Sequence, residues 1–211
     1  MMRIFILTAM FFGKLCLAQV PERVKLNTAQ LTRLETMLSN QISLTSSQKK
    51  VFSQGDILAY ANVNSPSEKQ QKLDLIVAGV HPRNCVRAMR KIGLYENYSK
   101  FIDFIKKSDY NPSTTQLTFT IDHTLLPYAM IMSFKLPRIN GVGSYPFVFE
   151  HGFLKNLKGE IGVQELDKFC VLTLKANWQG PDSGLPNLAL EMFAQTLSKL
   201  GLEHLIRLSL F

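Results

Sequence analysis

The spacing of hydrophobic positions predicts helices at both ends of the chain and strands between them. In residues 26–48, apolar side chains recur every three or four positions, which predicts one amphipathic helix with Thr28 as its N-cap. The extended runs at 57–63 and 73–80 are separated by a polar segment, an arrangement typical of a β-hairpin.

A short basic helix is predicted after the hairpin, because Pro82 suits a first helical position and Gly93 ends the segment. From residue 101 onwards the pattern changes to an alternation with a period of two, which is typical of strands. Residues 116–123 show it well, and it continues, interrupted by turns, as far as Trp178. The pattern predicts a meandering antiparallel sheet with one buried face.

A long amphipathic helix is predicted from Pro186 to about Leu208, with its buried stripe through Leu190, Phe193, Leu197, Leu200 and His204. An antiparallel sheet with one apolar face needs a cover, and one long helix laid across a curved sheet supplies it. The predicted fold class is therefore α+β: a curved antiparallel β-sheet wrapped around a long C-terminal α-helix. Two short helices follow the first strands, and an extra helix precedes them.

The composition favours a folded domain, since 46% of the 211 residues are hydrophobic and 19% are charged. The net charge of +8 comes from cations spread along the chain, without a basic run of five and without a nucleic-acid-binding motif. We therefore expect no nucleic-acid partner. The charge predicts a solvated basic surface or a transient contact with an anionic membrane surface.

The N-terminus has the plan of a secretory signal peptide. An apolar run at 4–12 follows a basic start, and Ala18 precedes a plausible cleavage site. Lys14 interrupts the apolar segment, and the alternative is an N-terminal strand or buried helix. The prediction is a signal peptide over residues 1–18 and export to the periplasm or the extracellular space.

Two cysteines, Cys85 and Cys170, remain after cleavage of that segment. In an oxidising compartment an even pair predicts a disulfide, and the alternative is two buried free thiols. Two cysteines with no nearby histidine do not form a zinc motif, so no metal and no cofactor are predicted. No G-x-S-x-G, Walker or G-x-G-x-x-G motif is present.

Three stretches carry a resemblance to a known superfamily. SQGDILAY (53–60) leads into LDLIVAGVHPRNCVRAM (73–89), GLYENYSKFIDFI (93–105) has an aromatic-x-x-aromatic-x-x-Phe spacing, and ANWQGPDSGLPNLALEMFAQTL (176–197) joins the last strand to the long helix. On the basis of these stretches and of the order of the elements, residues 52–209 resemble the START-like (SRPBCC) helix-grip superfamily. That superfamily includes polyketide cyclases, coenzyme Q-binding proteins and lipid-transfer domains.

The resemblance implies a ligand between the sheet and the long helix, but no catalytic residues, because the superfamily has no universal ones. We expect an N-terminal helical extension over residues 19–50 and a helix-grip domain over 51–211. The leading hypothesis is non-catalytic binding or transport of a hydrophobic small molecule, lipid or isoprenoid-like. The alternatives are a cyclase- or hydrolase-type enzyme using the same cavity and a structural or interaction domain whose core is filled.

The candidate ligand-binding residues are large or polar side chains that the alternation places on the inner face of the sheet or of the helix. They are Tyr128, Met130, Met132, Phe134, Phe147, Phe149, Trp178, Phe193, Leu197, His204, His123 and His151. The three histidines predict either a polar cluster at one end of the cavity or separate histidines hydrogen-bonded at the rim of the sheet. Arg138 and Arg207 are expected either to bind an anionic head group or to form salt bridges on the surface.

Overall fold

The computed structural model describes residues 23–38, 44–122, 129–152 and 154–210. The predicted signal peptide, His123 and Tyr128 therefore lie outside the described residues. The helices are α1 (Thr28–Leu38), α2 (Ser46–Ser53), α3 (Cys85–Ile92), α4 (Tyr98–Phe101) and α5 (Asn187–Leu208), with a 3-10 turn at Tyr95–Asn97. The strands are β1 (Leu58–Ser67), β2 (Gln70–His81), β3 (Ile105–Asn111), β4 (Gln116–Ile121), β5 (Met130–Lys135), β6 (Gly143–His151), β7 (Lys158–Leu166) and β8 (Phe169–Pro181).

The eight described strands form one antiparallel sheet in the order β1-β2-β8-β7-β6-β5-β4-β3. This arrangement, with the long α5 and the short helices after β2, confirms the predicted fold class. The predicted hairpin is also present, but its strands extend to Ser67 and from Gln70, so the polar segment pairs across the hairpin instead of forming a wide turn.

Helix α5 lies on the concave side of the sheet, along β1 and β2 and against α3. Gly79 of β2 permits a close approach, because a Cβ there would lie 3.0 Å from Cδ2 of Leu202. Gln195 Nε2 donates a hydrogen bond to the carbonyl oxygen of Ala61, 3.3 Å away. Since β1 is an edge strand, this bond satisfies part of its free edge.

The N-terminal extension packs on the opposite, convex side. It forms a second core with β1, β2, β7 and β8, made of Val24, Leu26, Leu34, Leu38, Phe52, Leu58, Ala78, Val80, Leu166 and Val171. Asp167, in the turn between β7 and β8, accepts hydrogen bonds from Gln30 and Arg33 of α1. These two partners hold the pKa of the Asp167 carboxyl below its usual value.

The extension covers β1, β2, β7 and β8 because the residues of these strands that face the convex side are apolar. On β4 and β5 the outward-facing side chains are polar except for Ile131, and the hydroxyls of Thr118 and Ser133 bond each other at 2.8 Å. That surface needs no cover. The described residues of the N-terminal extension, a segment for which the sequence suggested no role, thus complete a second core.

Two helix starts differ from the prediction. A single helix over 26–48 was expected with Thr28 as its N-cap, but residues 44 and 45 are not helical and α2 begins at Ser46. The first turn of α1 is capped by Asn27, whose Oδ1 accepts from the Gln30 N–H at 2.9 Å. Helix α3 begins at Cys85 and not at Pro82. In both cases an asparagine side chain satisfies a free N–H of the first turn, as Asn84 does for α3.

Two further links fasten α3 and α5 to the sheet. Cys85 and Cys170 form a disulfide between α3 and β8, which decides between the two alternatives from the sequence. His81, at the end of β2, is fully buried, and its Nδ1 accepts from the Arg83 N–H at 3.0 Å. Its Nε2 therefore carries the proton and donates to Oγ of Ser209, 2.8 Å away at the end of α5. Burial lowers the pKa of His81.

Candidate functional site

A row of aromatic rings crosses the inner face from the short helices to β6. Neighbouring ring centroids are between 5.0 and 6.0 Å apart. In order they are Tyr110, Tyr95, Tyr98, Phe119, Phe134, Phe149 and Phe147. The strand alternation predicted from the sequence turns the four phenylalanines inwards, so that they form a continuous apolar wall.

The centre of the inner face remains accessible. Ile161 and Leu174 pair across β7 and β8, and Leu174 lies opposite the buried Val77 of β2. Both belong to the edge of the concave core, yet they are only partly buried. Residues in the middle of an eight-stranded sheet become fully buried on a face where another layer packs directly against them. The partial burial of Ile161 and Leu174 shows that their inner side is not fully covered.

One stripe of α5 is also exposed. Leu197 and Leu200 are 42% and 36% exposed, although the sequence placed them in the buried stripe. Leu190 is buried as predicted, but the buried side continues through Ala194 and Ile206, because the helix sits on β1 and β2.

The exposed stripe faces the β3 half of the sheet. The ring of His204 meets that of Phe104, just before β3, edge-on at 5.5 Å. Burial, and then the nearby charge of Arg207, lowers the pKa of His204. Its neutral imidazole offers one donor and one acceptor beside Phe104.

The predicted site residues fall into three groups by burial. Phe134, Phe147 and Trp178 are buried in the core, and Met130, Met132, Phe149, Phe193 and His204 are partly buried at its edge. Leu197 and His151 are exposed. Trp178 donates its indole N–H to the carbonyl of Lys155 and so holds the β6–β7 loop. The ligand-binding roles of these residues stay predictions.

His151 is exposed, and a change of register precedes it on β6. The register between β5 and β6 shifts between Ser133 and Phe134, so that His151 lies opposite Ser133, whose hydroxyl bonds Thr118 on the convex side. A β-bulge adds one residue to a strand and breaks its alternation. Sequence periodicity could not show this, and the described contacts do not join His151 to His204.

The two arginines differ in their surroundings. Arg138 pairs with Glu96 at 3.1 Å and lies over the ring of Tyr110 at 4.6 Å, as the salt-bridge alternative predicted. Arg207 of α5 is different, because its Nε is buried without a hydrogen-bond partner among the described residues. An unpaired buried donor carries a desolvation cost that an oxygen acceptor would remove.

Several residues of this site were missed. Phe119 was visible in the alternation of 116–123 but was not selected. Ile161 lies in a glycine-containing run whose register the pattern left open. Tyr98 comes from the short helical segment, where no period of two exists to indicate a face. Phe104 lies in a turn just before β3, where the alternation expected from residue 101 onwards has not yet begun.

Two kinds of feature are absent from the described residues. No three histidine, cysteine, aspartate or glutamate side chains in those ranges are grouped so as to hold a metal ion. No helix there combines the length and the apolar character that crossing a membrane requires.

Comparison with known proteins gives a likeness of fold. No protein-family model and no curated protein matches the chain. It is similar to the di-domain ARO/CYC StfQ from the steffimycin biosynthetic pathway, with 8% identity and a TM-score of 0.52 over 87% of this chain and 59% of StfQ. It is also similar to an uncharacterised protein from Bacillus thuringiensis, with 12% identity and a TM-score of 0.50 over 65% of this chain and 99% of that one. The predicted resemblance to helix-grip proteins is thereby confirmed as one of fold.

Proposed function

We propose that this protein binds a hydrophobic small molecule, lipid or isoprenoid-like, between the concave face of the sheet and α5, and carries it without chemical change. The observation that supports this most directly is the partial exposure of Ile161 and Leu174 at the centre of the inner face. Apolar surface left accessible between a sheet and its covering helix gains free energy when an apolar ligand buries it, at about 25 cal/mol per Å².

The geometry also suggests how such a ligand is oriented. Its apolar part lies along Phe119 and Phe149, and its polar end lies near His204 and Arg207 on α5. The neutral imidazole suits a hydroxyl or carbonyl group, and the unpaired Nε of Arg207 suits an oxygen acceptor. The proposed ligand is therefore mainly hydrocarbon with an oxygen-containing end group.

We further propose that the protein is exported. The pattern of residues 1–18 supports export, and the Cys85–Cys170 disulfide fits an oxidising compartment.

Binding is tested by uptake of the fluorescent fatty acid cis-parinaric acid and by mass spectrometry of organic extracts from natively purified protein. Met132→Trp should weaken uptake about tenfold or more, which is ~1.4 kcal/mol of binding free energy, because the larger side chain would take up room that the ligand needs. The matched control is Ile131→Trp, since Ile131 is the next residue of β5, points to the other face and is 63% exposed. Equal uptake by the two variants, with circular dichroism showing both folded, would place the ligand elsewhere.

A filled core or an enzyme would give other results. A filled core predicts no extracted ligand and no uptake by the unmodified protein. An enzyme predicts that the extracted compound is converted on incubation with the protein. Either result would replace the carrier proposal.

A further inference from the structure

An open cleft of about 320 Å³ lies between α3 and the end of α5. Four cationic residues and a buried serine hydroxyl line it: Arg83, Arg87, Arg90, Lys91 and Ser209. No acidic residue lines it. The cleft is separate from the concave site, which none of these side chains lines.

The positive charge of the cleft is unbalanced. Arg87, Arg90 and Lys91 form no ion pair with any described residue, whereas Arg138 pairs with Glu96. The Arg83 guanidinium donates to the carbonyl of Leu210. Like charges three and four residues apart on one short helix repel each other, and a bound anion would relieve that repulsion.

Apolar side chains are exposed beside these cations. Val86 is 56% exposed and Leu94 is 37% exposed. Val86 lies one turn before Arg90 on the outward face of α3, and Leu94 follows the helix directly. Cations mixed with exposed apolar side chains are typical of helices that lie in a membrane interface. A free phosphate or a nucleic acid would neutralise the cations but leave the apolar side chains in water.

We propose that the outer face of α3 is a docking surface for an anionic lipid membrane. Lipid phosphates occupy the cleft, and Val86 and Leu94 enter the boundary between head groups and acyl chains. The disulfide at Cys85 fixes the helix to the sheet, so that docking orients the whole domain. A role of docking in ligand exchange rests on the proposed function. Membrane binding itself does not depend on it.

The test is co-sedimentation of the full chain with vesicles of phosphatidylcholine, with and without phosphatidylglycerol. Binding is expected only with phosphatidylglycerol and should weaken as salt is added, because salt screens the attraction. Arg87→Gln/Arg90→Gln should weaken it by about fivefold per cation, or about 25-fold for the pair. The control Lys158→Gln/Lys175→Gln removes two exposed charges from the convex face and should have a much smaller effect.

A second variant separates a membrane from a simple anion. Val86→Asn keeps every charge and should still weaken vesicle binding several-fold. Equal loss in both double variants would overturn the proposal. The proposal would also be overturned by a combination of two results. Val86→Asn would bind vesicles as well as the unmodified protein does, and inorganic phosphate, but not chloride at equal ionic strength, would displace the protein from vesicles.

The two proposals can fail separately. Cis-parinaric acid uptake by Arg87→Gln/Arg90→Gln in solution should match the unmodified protein. Normal uptake without vesicle binding would remove only the docking surface, and vesicle binding without uptake would remove only the carrier function.

Discussion

Loss of the Cys85–Cys170 disulfide should destabilise the protein strongly. The bond joins residues 85 positions apart, and both sulfurs are fully buried. In the chain-entropy treatment, closing a loop of that length lowers the entropy of the unfolded chain and so stabilises the folded state by about 4.6 kcal/mol at 25 °C. Removal of a native disulfide usually costs about 2–5 kcal/mol. For a chain of this size that corresponds to a drop in Tm of about 5–15 °C.

The assay is urea unfolding of the oxidised and the reduced protein, compared with Cys85→Ala/Cys170→Ala. Reduction should lower the midpoint of the unmodified protein, whereas the variant should start near the lower midpoint and not respond to reductant. Thiol titration in urea, before any reduction, should find Cys85 and Cys170 unreactive. Free thiols at both positions, or the same response to reductant in the variant, would refute the reasoning.

Two further predictions concern the links between the layers. Burial lowers the pKa of His81 in the folded state, so below about pH 6.5 the unfolded chain binds a proton that the folded chain excludes. The free energy of unfolding should therefore fall as pH drops from about 7.5 to 5.5. In urea unfolding, His81→Gln should make that fall smaller. The pKa of His204 is also lowered, so His204 should account for part of the pH dependence that remains in this variant. Leu34→Ala should cost about 2–4 kcal/mol because Leu34 is fully buried in the convex core. Asp167→Asn should cost much less than Leu34→Ala, because Asp167 and Arg33 are both exposed to solvent. A larger loss for Asp167→Asn than for Leu34→Ala would contradict this account.

The sequence predicted the layers because they depend on periodicity. Alternation over 116–123 turned Leu117 and Phe119 to one face, and the structure places both in or against the concave core. The spacing over 186–208 predicted the long helix. Both signals report which side of an element is apolar, and burial of that side decides the fold.

Periodicity could not show which part of the sheet the helix covers. The stripe through Leu197 and His204 is apolar enough to be buried. However, α5 packs at one end of the sheet, because Gly79 lets Leu202 approach β2 and Gln195 bonds the free edge of β1. These are contacts between residues more than a hundred positions apart. For the same reason the bulge before His151 and the docking of residues 23–54 on the convex side could not be read from local spacing.

Stability and binding are therefore expected to lie in different halves of the sheet. Strands β1 and β2 are covered by α5 on one face and by the N-terminal extension on the other, and α3, which lies against β7 and β8, is joined to β8 by the disulfide. Ile161 of β7 and Leu174 of β8 stay only partly buried on the inner face. The half formed by β4, β5 and β6 keeps a polar outer face and an aromatic inner one. A sheet with uncovered apolar surface needs support elsewhere, and the doubly covered half provides it. Leu34→Ala should thus lower the free energy of unfolding without changing cis-parinaric acid uptake, and Met132→Trp should do the reverse. Loss of uptake in Leu34→Ala, at a temperature where it is fully folded, would show that the two halves are coupled.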